Sequence, residues 1–367
     1  MIVDDSAVIR GFLNRWLEAE PDIEVVALAN NGVTALREFQ RFRPEIVILD
    51  IEMPEMDGMT ALPKLIALDK DVQIIMASTL TRRNANVSLQ ALAKGAADYI
   101  AKPESTRISG DKDIFQQGLT AKIRALGGTR RARRRPGEKP ALAAVSATSS
   151  ARRKPISSLA TKKPFALRAD APTLVPNVIA IGSSTGGPQA LFKLFEDLKG
   201  KTSLPILITQ HMPATFTAIL AEHINKIYDK DVAEAKDGDK VVPNRVYVAP
   251  GEFHMTVAKQ GNDVFIRLTQ DPPENFCRPS VEPMLRSLQS VYNNRVLTVI
   301  LTGMGQDGLN GCKELADTGA VVLGQDEETS VVWGMPGAVA NAGICNAVLP
   351  LNKIAQAMER AIMGRPS

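Results

Sequence analysis

Val178-Ile-Ala-Ile-Gly-Ser-Ser-Thr-Gly-Gly-Pro-Gln-Ala-Leu191 is the stretch whose reading decides the fold. Val178–Ile181 is a short apolar run between Pro176 and Gly182, and such a run reads as a buried strand. Gly182–Gly187 is a tight turn, and Pro188 suits the first turn of a helix, where a missing N–H has no partner to lose. The strand therefore delivers Ser183, Ser184 and Thr185 to the mouth of a sheet, just before a helix N-terminus. Free N–H groups and the positive end of the helix dipole would stabilise a developing anion there. Gly182-Ser183-Ser184-Thr185-Gly186 also matches G-x-S-x-G, the nucleophile elbow. Alone, that match does not separate a nucleophile from a glycine-rich phosphate cradle or a plain turn.

Outward from this stretch the same alternation continues. Pro188–Leu198 is amphipathic, with Leu191, Leu194, Phe195 and Leu198 on one face. Ile206–Thr209 predicts a second buried strand, leading into Gln210-His211-Met212-Pro213. Phe216–Tyr228 and Val281–Tyr292 predict helices, the second with Ser280 as N-cap. Arg245–Ala249 predicts a strand, and Met255–Ala258 with Val264–Leu268 a hairpin around Gly261-Asn262. Val296–Leu301 is a third strongly apolar strand, running into Thr302-Gly-Met-Gly-Gln-Asp-Gly308. Ala320–Leu323 and Ile354–Met363 close the region.

A nucleophile needs a base and a carboxylate, and the chain has only three histidines. His223 lies inside a predicted helix, which favours a satisfied surface or core role. His254 precedes a hairpin strand, with no catalytic placement. His211 directly follows a buried strand, at the same sheet edge as Ser184, where ligands of open α/β sheets gather. Asp307 ends the glycine-rich turn after the third strand and reaches that edge too. Asp317 belongs to the following helix, and Asp326-Glu327-Glu328 to a solvated loop. Ser184, His211 and Asp307 thus make a nucleophile, a general base and a carboxylate that orients the imidazole. Their chain order differs from the Ser–Asp–His order of α/β-hydrolases, so the elbow match is convergent.

At 367 residues the chain has room for two or three domains, each with its own core. No run approaches the roughly 18 apolar residues of a membrane span, and no signal peptide opens it. Cys277, Cys312 and Cys345 are odd in number and lack metal spacing, which fits reduced thiols in a cytoplasmic protein. The net charge of +4 conceals its distribution. Residues 128–176 hold 12 Lys/Arg against Glu138 and Asp170, whereas 1–127 hold 15 basic and 18 acidic residues and 177–367 hold 17 and 20. Both flanking regions are mildly acidic, which argues against specific nucleic-acid binding by the folded parts.

Residues 1–127 also alternate apolar runs with amphipathic stretches, predicting a doubly wound parallel sheet. Polar residues fall at the strand ends in order: Asp4 and Asp5, then Asp50, Ser78, and Lys102 before Pro103. Three carboxylates on one edge repel unless a cation neutralises them, and hard oxygen ligands favour Mg²⁺. A nearby lysine suits an added anionic group. Residues 128–176 carry Arg130-Arg131-Ala-Arg133-Arg134-Arg135 and then Ala/Ser/Thr/Lys/Pro repetition. Such a segment buries too little apolar surface to offset chain ordering, so it reads as a disordered linker.

Two resemblances follow from these motifs. Val3-Asp4-Asp5-Ser6, Ile48-Leu49-Asp50-Ile51-Glu52-Met53-Pro54, Asp57-Gly58, Ser78 and Lys102-Pro103 resemble the receiver domain of two-component response regulators over nearly all of residues 1–125. That resemblance implies Asp50 as phospho-acceptor, Asp4, Asp5 and Asp50 on Mg²⁺, Ser78 as the hydroxyl that follows the phosphoryl group, and Lys102 as its cationic partner. Only Met1–Val3 remain of the first strand, so an upstream start codon is expected. Ile181–Gly187, Gln210–Pro213, Ala249–Gly251, Arg278–Val281 and Leu301–Gly308 resemble the catalytic domain of chemotaxis protein-glutamate methylesterases over essentially 177–365. This second resemblance implies the Ser184, His211 and Asp307 roles above, Thr185 in the active-site surround, and the Met304 N–H as an oxyanion donor.

Together they imply an α/β protein of two doubly wound, mainly parallel-sheet domains. A flavodoxin-like receiver (1–127) is joined by the basic linker (128–176) to a Rossmann-like methylesterase domain (177–367). The implied activity is phosphorylation-activated demethylation of glutamyl esters on methyl-accepting chemoreceptors, with deamidation of specific receptor glutamines. Its implied partners are those receptors and a histidine kinase. Mg²⁺ serves the receiver, and no cofactor serves the catalytic domain. The unphosphorylated receiver is expected to cover the active-site edge, less firmly here because a linker of about 50 residues lowers effective concentration. A weak membrane-surface attraction of the linker arginines is weighed against a plain solvated spacer. The rival readings are a receiver-controlled DNA-binding regulator, which would need a helix-turn-helix after the linker, and a non-catalytic scaffold, which would be expected to lack a triad member.

Overall fold

The computed structural model describes residues 1–79, 81–102, 112–133, 165–168 and 175–364. In the first part β1 (Ile2–Val3), α1 (Ala7–Glu18), β2 (Leu28–Ala29), α2 (Gly32–Phe42), β3 (Ile46–Asp50), α3 (Gly58–Leu68), β4 (Gln73–Ser78), α4 (Arg82–Ala93), β5 (Asp98–Ala101) and α5 (Lys112–Arg133) follow one another. The strands form a parallel sheet in the order β2-β1-β3-β4-β5. Helices start where the sequence offers a cap: Ser6, Asn31 and Asp57 each accept the N–H three residues on. The short β1 is held at its start by the Met1 ammonium, which donates to Ile46 O at 3.0 Å.

Helix α5 corrects the expected start of the linker. It runs through Gly127-Gly128 to Arg133, and the first linker arginines are structural. Arg130 is buried, donating to the carbonyls of Pro44 (3.0 Å) and Glu45 (2.6 Å) and pairing with Asp69 at 2.6 Å. Arg131 pairs with Glu45 at 2.6 Å. A buried guanidinium with that many acceptors anchors the helix to the base of β3. Most of the remaining linker expectation lies outside the described residues. Residues 165–168 rest on the second domain: Phe165 packs against Trp333, and Arg168 donates from its N–H to Cys345 O at 2.9 Å.

The second part runs β6 (Val178–Ser183), α6 (Gly187–Leu198), β7 (Ile206–Gln210), α7 (Ala214–Ile227), β8 (Asp231–Glu234), β9 (Arg245–Val248), β10 (His254–Gln260), β11 (Asp263–Thr269), α8 (Val281–Tyr292), β12 (Val296–Ile300), α9 (Leu309–Asp317), β13 (Val321–Gln325), α10 (Met335–Asn341), β14 (Ala347–Leu349) and α11 (Leu351–Ile362). Its seven-stranded sheet has the order β14-β13-β12-β6-β7-β9-β8, parallel throughout, with β10 and β11 as a separate antiparallel hairpin. β6, β7 and β12 are wholly buried, as strands covered by helices on both faces must be. The chain reverses direction across the sheet between β6 and β12, which makes their carboxyl ends a crevice. Among the described residues no helix is long and apolar enough to cross a membrane.

The two sheets share an apolar contact. Tyr99 at β5 stacks on Phe216 in α7 with ring centroids 4.3 Å apart, and His223 in α7 contacts Asn86 in α4 at 2.7 Å. Arg82 in α4 pairs with Glu222 in α7.

Candidate active site

Three neighbouring strands, β12, β6 and β7, end at the crevice, and each releases one polar residue into it. Ser184 follows β6, His211 follows β7, and Asp307 sits in the turn between β12 and α9. His211 Nε2 lies 2.7 Å from Asp307 Oδ2. Asp307 is buried and strongly held: Ser280 Oγ (2.7 Å) and Asn275 Nδ2 (2.8 Å) donate to Oδ1, and the Val281 N–H donates to Oδ2 at 2.7 Å. Burial disfavours its charge, but the His211 bond and these donors outweigh it and hold the carboxyl below the usual range.

The candidate nucleophile and the candidate base are not joined. Among the described residues no hydrogen bond joins Ser184 Oγ to the imidazole. His211 Nδ1 instead faces Cys277 Sγ at 3.3 Å. Burial opposes a charged imidazole here, yet the contacts with Asp307 and Cys277 prevail and push its pKa up to about 10. The direction favours the protonated imidazole, the form that donates to both partners rather than the form that accepts a proton.

The two serines have different surroundings. Ser183 is fully buried, and its Oγ donates to Gln210 Oε1 at 2.7 Å. Gln210 Nε2 in turn donates to Ser184 O at 2.8 Å, so this amide locks the ends of β6 and β7 together. Ser184 is only partly buried, and no protein group holds its hydroxyl among the described residues. Backbone closeness is enforced by glycine: a Cβ on Gly187 would lie 1.9 Å from Gln210 Oε1, and one on Gly303 2.9 Å from Ser184 Cβ. Gly186 caps α6 without a side-chain bond; Gly187 N–H donates to Ser184 O at 2.8 Å, Pro188 has no N–H and Ala190 N–H donates to Gly186 O at 3.2 Å, so among the first-turn groups only the Gln189 N–H has no acceptor among the described residues. The Met304 N–H likewise has no acceptor among the described residues.

Thr185 and Met304, expected in the active-site surround, face the first domain. Thr185 Oγ1 donates to Asp98 Oδ2 at 3.0 Å, and Lys122 in α5 pairs with that same oxygen. Gln189 donates to Ala96 O at 2.6 Å. Met304, Val331 and Val332 join an apolar cluster with Ile100 and Leu119. The residue next to Ser184 is thus bonded to the first domain.

At the carboxyl edge of the first sheet, Asp4, Asp5 and Asp50 bring oxygens within 4.8 Å of one another. Lys102 Nζ lies 2.6 Å from Asp4 and 2.7 Å from Asp50. Burial pushes Asp50 up to about 6, partly countered by Lys102. Asp4 Oδ2 is buried with no aligned hydrogen bond, only the lysine charge beside it. An all-oxygen set with one underused buried oxygen fits a hard divalent cation. Ser78 is buried at the same edge and accepts from Ser88 Oγ at 3.0 Å.

Several supports escaped the sequence reading. Glu282 is buried and accepts the N–H groups of Gly308 (3.1 Å), Asn310 (3.0 Å) and Gly311 (2.7 Å), capping α9 in place of a local side chain. His254 accepts the Ser280 N–H at 3.2 Å, steadying a serine read only as a helix cap. The Glu282 position was visible two residues after a predicted N-cap, but nothing local links it to a turn 26 residues on. Cys277 has no sequence signal at all, since its partner lies 66 residues away.

Comparison with known proteins covers both halves. Residues 179–358 match the CheB methylesterase family model, and residues 1–108 the response regulator receiver domain. A protein-glutamate methylesterase/protein-glutamine glutaminase of Azospirillum brasilense is 54% identical over 96% of this chain and 90% of its own. One of that description from Paramagnetospirillum magneticum is 54% identical over 97% of this chain and 93% of its own. The crystal structure of the Thermotoga maritima CheB methylesterase catalytic domain is 38% identical, covers 51% of this chain and 99% of its own, and has a TM-score of 0.49.

Proposed function

The chain belongs to the CheB methylesterase family, with a response-regulator receiver domain ahead of its catalytic domain, and we propose that Ser184, His211 and Asp307 carry its chemistry on chemoreceptors. The substrates are γ-glutamyl methyl esters, which yield methanol and glutamate, and specific glutamines, which yield ammonia and glutamate. The observation that carries this reading is the 2.7 Å His211–Asp307 bond at the mouth of the crevice where β6 presents Ser184.

Ser184 Oγ attacks the ester carbonyl while His211 Nδ1, the ring nitrogen not spent on Asp307, takes its proton. The oxyanion so formed meets the Met304 N–H and the positive end of the α6 dipole. Collapse breaks the C–OCH₃ bond as the imidazolium returns its proton to the leaving oxygen. Water activated by the same imidazole then hydrolyses the acyl-enzyme and restores Ser184. Asp307 keeps the ring oriented and offsets its charge.

Asp50 is the phospho-acceptor, supplied by a histidine kinase, with Ser78 and Lys102 as its partners, and Asp4, Asp5 and Asp50 would hold Mg²⁺. When bound, the cation offsets the charge that an incoming phosphoryl group adds to these carboxylates. The described arrangement suits an inactive form: Thr185 is tied to Asp98, and His211 Nδ1 faces Cys277 rather than Ser184. Phosphorylation shifts the population toward an open form. We assign 1–133 to the receiver with its last helix, and 177–367 to the catalytic domain, in a cytoplasmic protein.

Methanol release from methylated receptors tests the reaction, and a serine-directed phosphonate tests the nucleophile by mass. A label on Ser183 or Cys277 rather than Ser184 would overturn the assignment.

A further inference from the structure

The residue before Cys277 is the most exposed large apolar side chain among those described: Phe276, at 103%. It stands at the tip of a two-residue turn closed by Cys277 N→Glu274 O (2.9 Å) and Glu274 N→Cys277 O (3.2 Å). Both central residues are left-handed, Asn275 at φ 51° and Phe276 at φ 63°. Hairpin turns of this kind want Asn-Gly, because a Cβ at the second position is crowded by the backbone. Asn275 suits its place. Phe276 stands where glycine would be unstrained, and among the described residues its fully exposed ring has no packing that repays the strain.

The turn is nonetheless held firmly to the catalytic residues. Asn275 Nδ2 donates to Asp307 Oδ1 at 2.8 Å, and Cys277 Sγ meets His211 Nδ1 at 3.3 Å. Glu274 takes both arms of Arg286, at 2.6 and 2.8 Å. Arg278 Nη1 donates to the carbonyls of Gln270 and Asp271, each at 3.1 Å. Exposed Pro272 and Pro273 continue the apolar rim. The receiver bonds Thr185, while Phe276 stays fully exposed.

From the fixed bracing, the strained backbone and the full exposure, we propose that Phe276 is a specificity-determining residue that seats the polypeptide around the target glutamyl group. This deepens the esterase reading and rests on it. A rigid aromatic ring offers contact area at little entropic cost, which is why such residues anchor protein interfaces. Its occupant is an apolar side chain of the substrate protein near the ester. On a helical substrate that side chain lies three or four positions away, on the same face. A substrate lacking it gains nothing from the ring.

The test compares Phe276→Ala and Phe276→Leu in the full chain, with Mg²⁺ and a small phosphodonor, on two substrates. One is a methylated receptor and the other N-acetylglutamate γ-methyl ester amide. The alanine variant is expected to raise KM for the receptor about tenfold at near-constant kcat. Turnover of the small ester is expected to stay within about twofold of wild type, and leucine to recover part of the receptor KM. Equal losses on both substrates, or no change on either, would overturn the inference. A wild type inert toward both esters would remove the esterase reading and this inference with it.

Discussion

Cys277 Sγ stands 3.3 Å from His211 Nδ1, on the one ring nitrogen that Asp307 leaves for Ser184. On the proposed roles, the thiol and the Ser184 hydroxyl compete for a single seat. In the resting arrangement the thiol holds it.

This competition predicts a pH profile. Burial works against the His211 charge, but Asp307 and Cys277 raise the pKa to about 10. A histidine raised above its ordinary value stabilises the fold fully below about 6.5 and loses that contribution as pH climbs through its folded value. With His211 as the proposed base, catalysis follows the opposite sign, because a base works only when neutral. Unphosphorylated enzyme should therefore gain kcat/KM steadily into the alkaline range. Cys277→Ala removes one raising contact and should move the midpoint down by about half a unit or more. The measurement is kcat/KM against pH on a small glutamyl ester, and an unmoved midpoint would exclude the thiol from setting the base.

Ser184→Ala and His211→Ala should each lower kcat by roughly 10⁴-fold or more, and the double variant should be little worse than either. Multiplying losses would mean the two act separately. Ser183→Ala should keep most activity but cost about 1–3 kcal/mol of stability, because it leaves buried Gln210 Oε1 without its donor. Urea denaturation beside steady-state kinetics separates the two effects.

Asp50→Asn should abolish phosphorylation by a small phosphodonor, as should chelation of Mg²⁺, while basal turnover persists. Tyr99→Ala breaks the stack on Phe216 and should raise basal turnover without any phosphodonor. Removal of residues 1–133 should raise it further. Lower activity in both variants would mean that the receiver supports the crevice rather than closing it.

Arg130→Gln should destabilise the receiver by about 3–5 kcal/mol, because it strips a buried charge partner from Asp69. Any test of membrane attraction must therefore spare Arg130 and Arg131. Replacing Arg133, Arg134 and Arg135 with glutamine should weaken binding to anionic vesicles at low salt and leave soluble-substrate turnover unchanged. Equal vesicle binding would leave the segment as a spacer.

How much of this was legible depends on range. The apolar runs of β6, β7 and β12 announce strands buried on both faces, and polar residues directly after them mark the crevice. β8 went unread because Asp231-Val-Ala-Glu234 is a short edge strand with little apolar content, and β14 and the seven-residue α10 are too brief for periodicity to register. Gly127-Gly128 followed by arginines reads as a linker, yet Arg130 finds its acceptors some 85 residues back, at Glu45. Contacts at that separation, like those of Cys277 and Glu282, leave no local pattern.

The five-residue span from Asp98 to Lys102 belongs to two sites at once. Its first residue accepts Thr185, one position from the nucleophile, and its last touches Asp4 and Asp50. A strand of this length reaches only some 13 Å and is stiff along its axis. On the proposed switch, charge placed on Asp50 would draw on Lys102, and an axial shift of that span would carry Asp98 with it, so that lever and latch would be one piece of backbone.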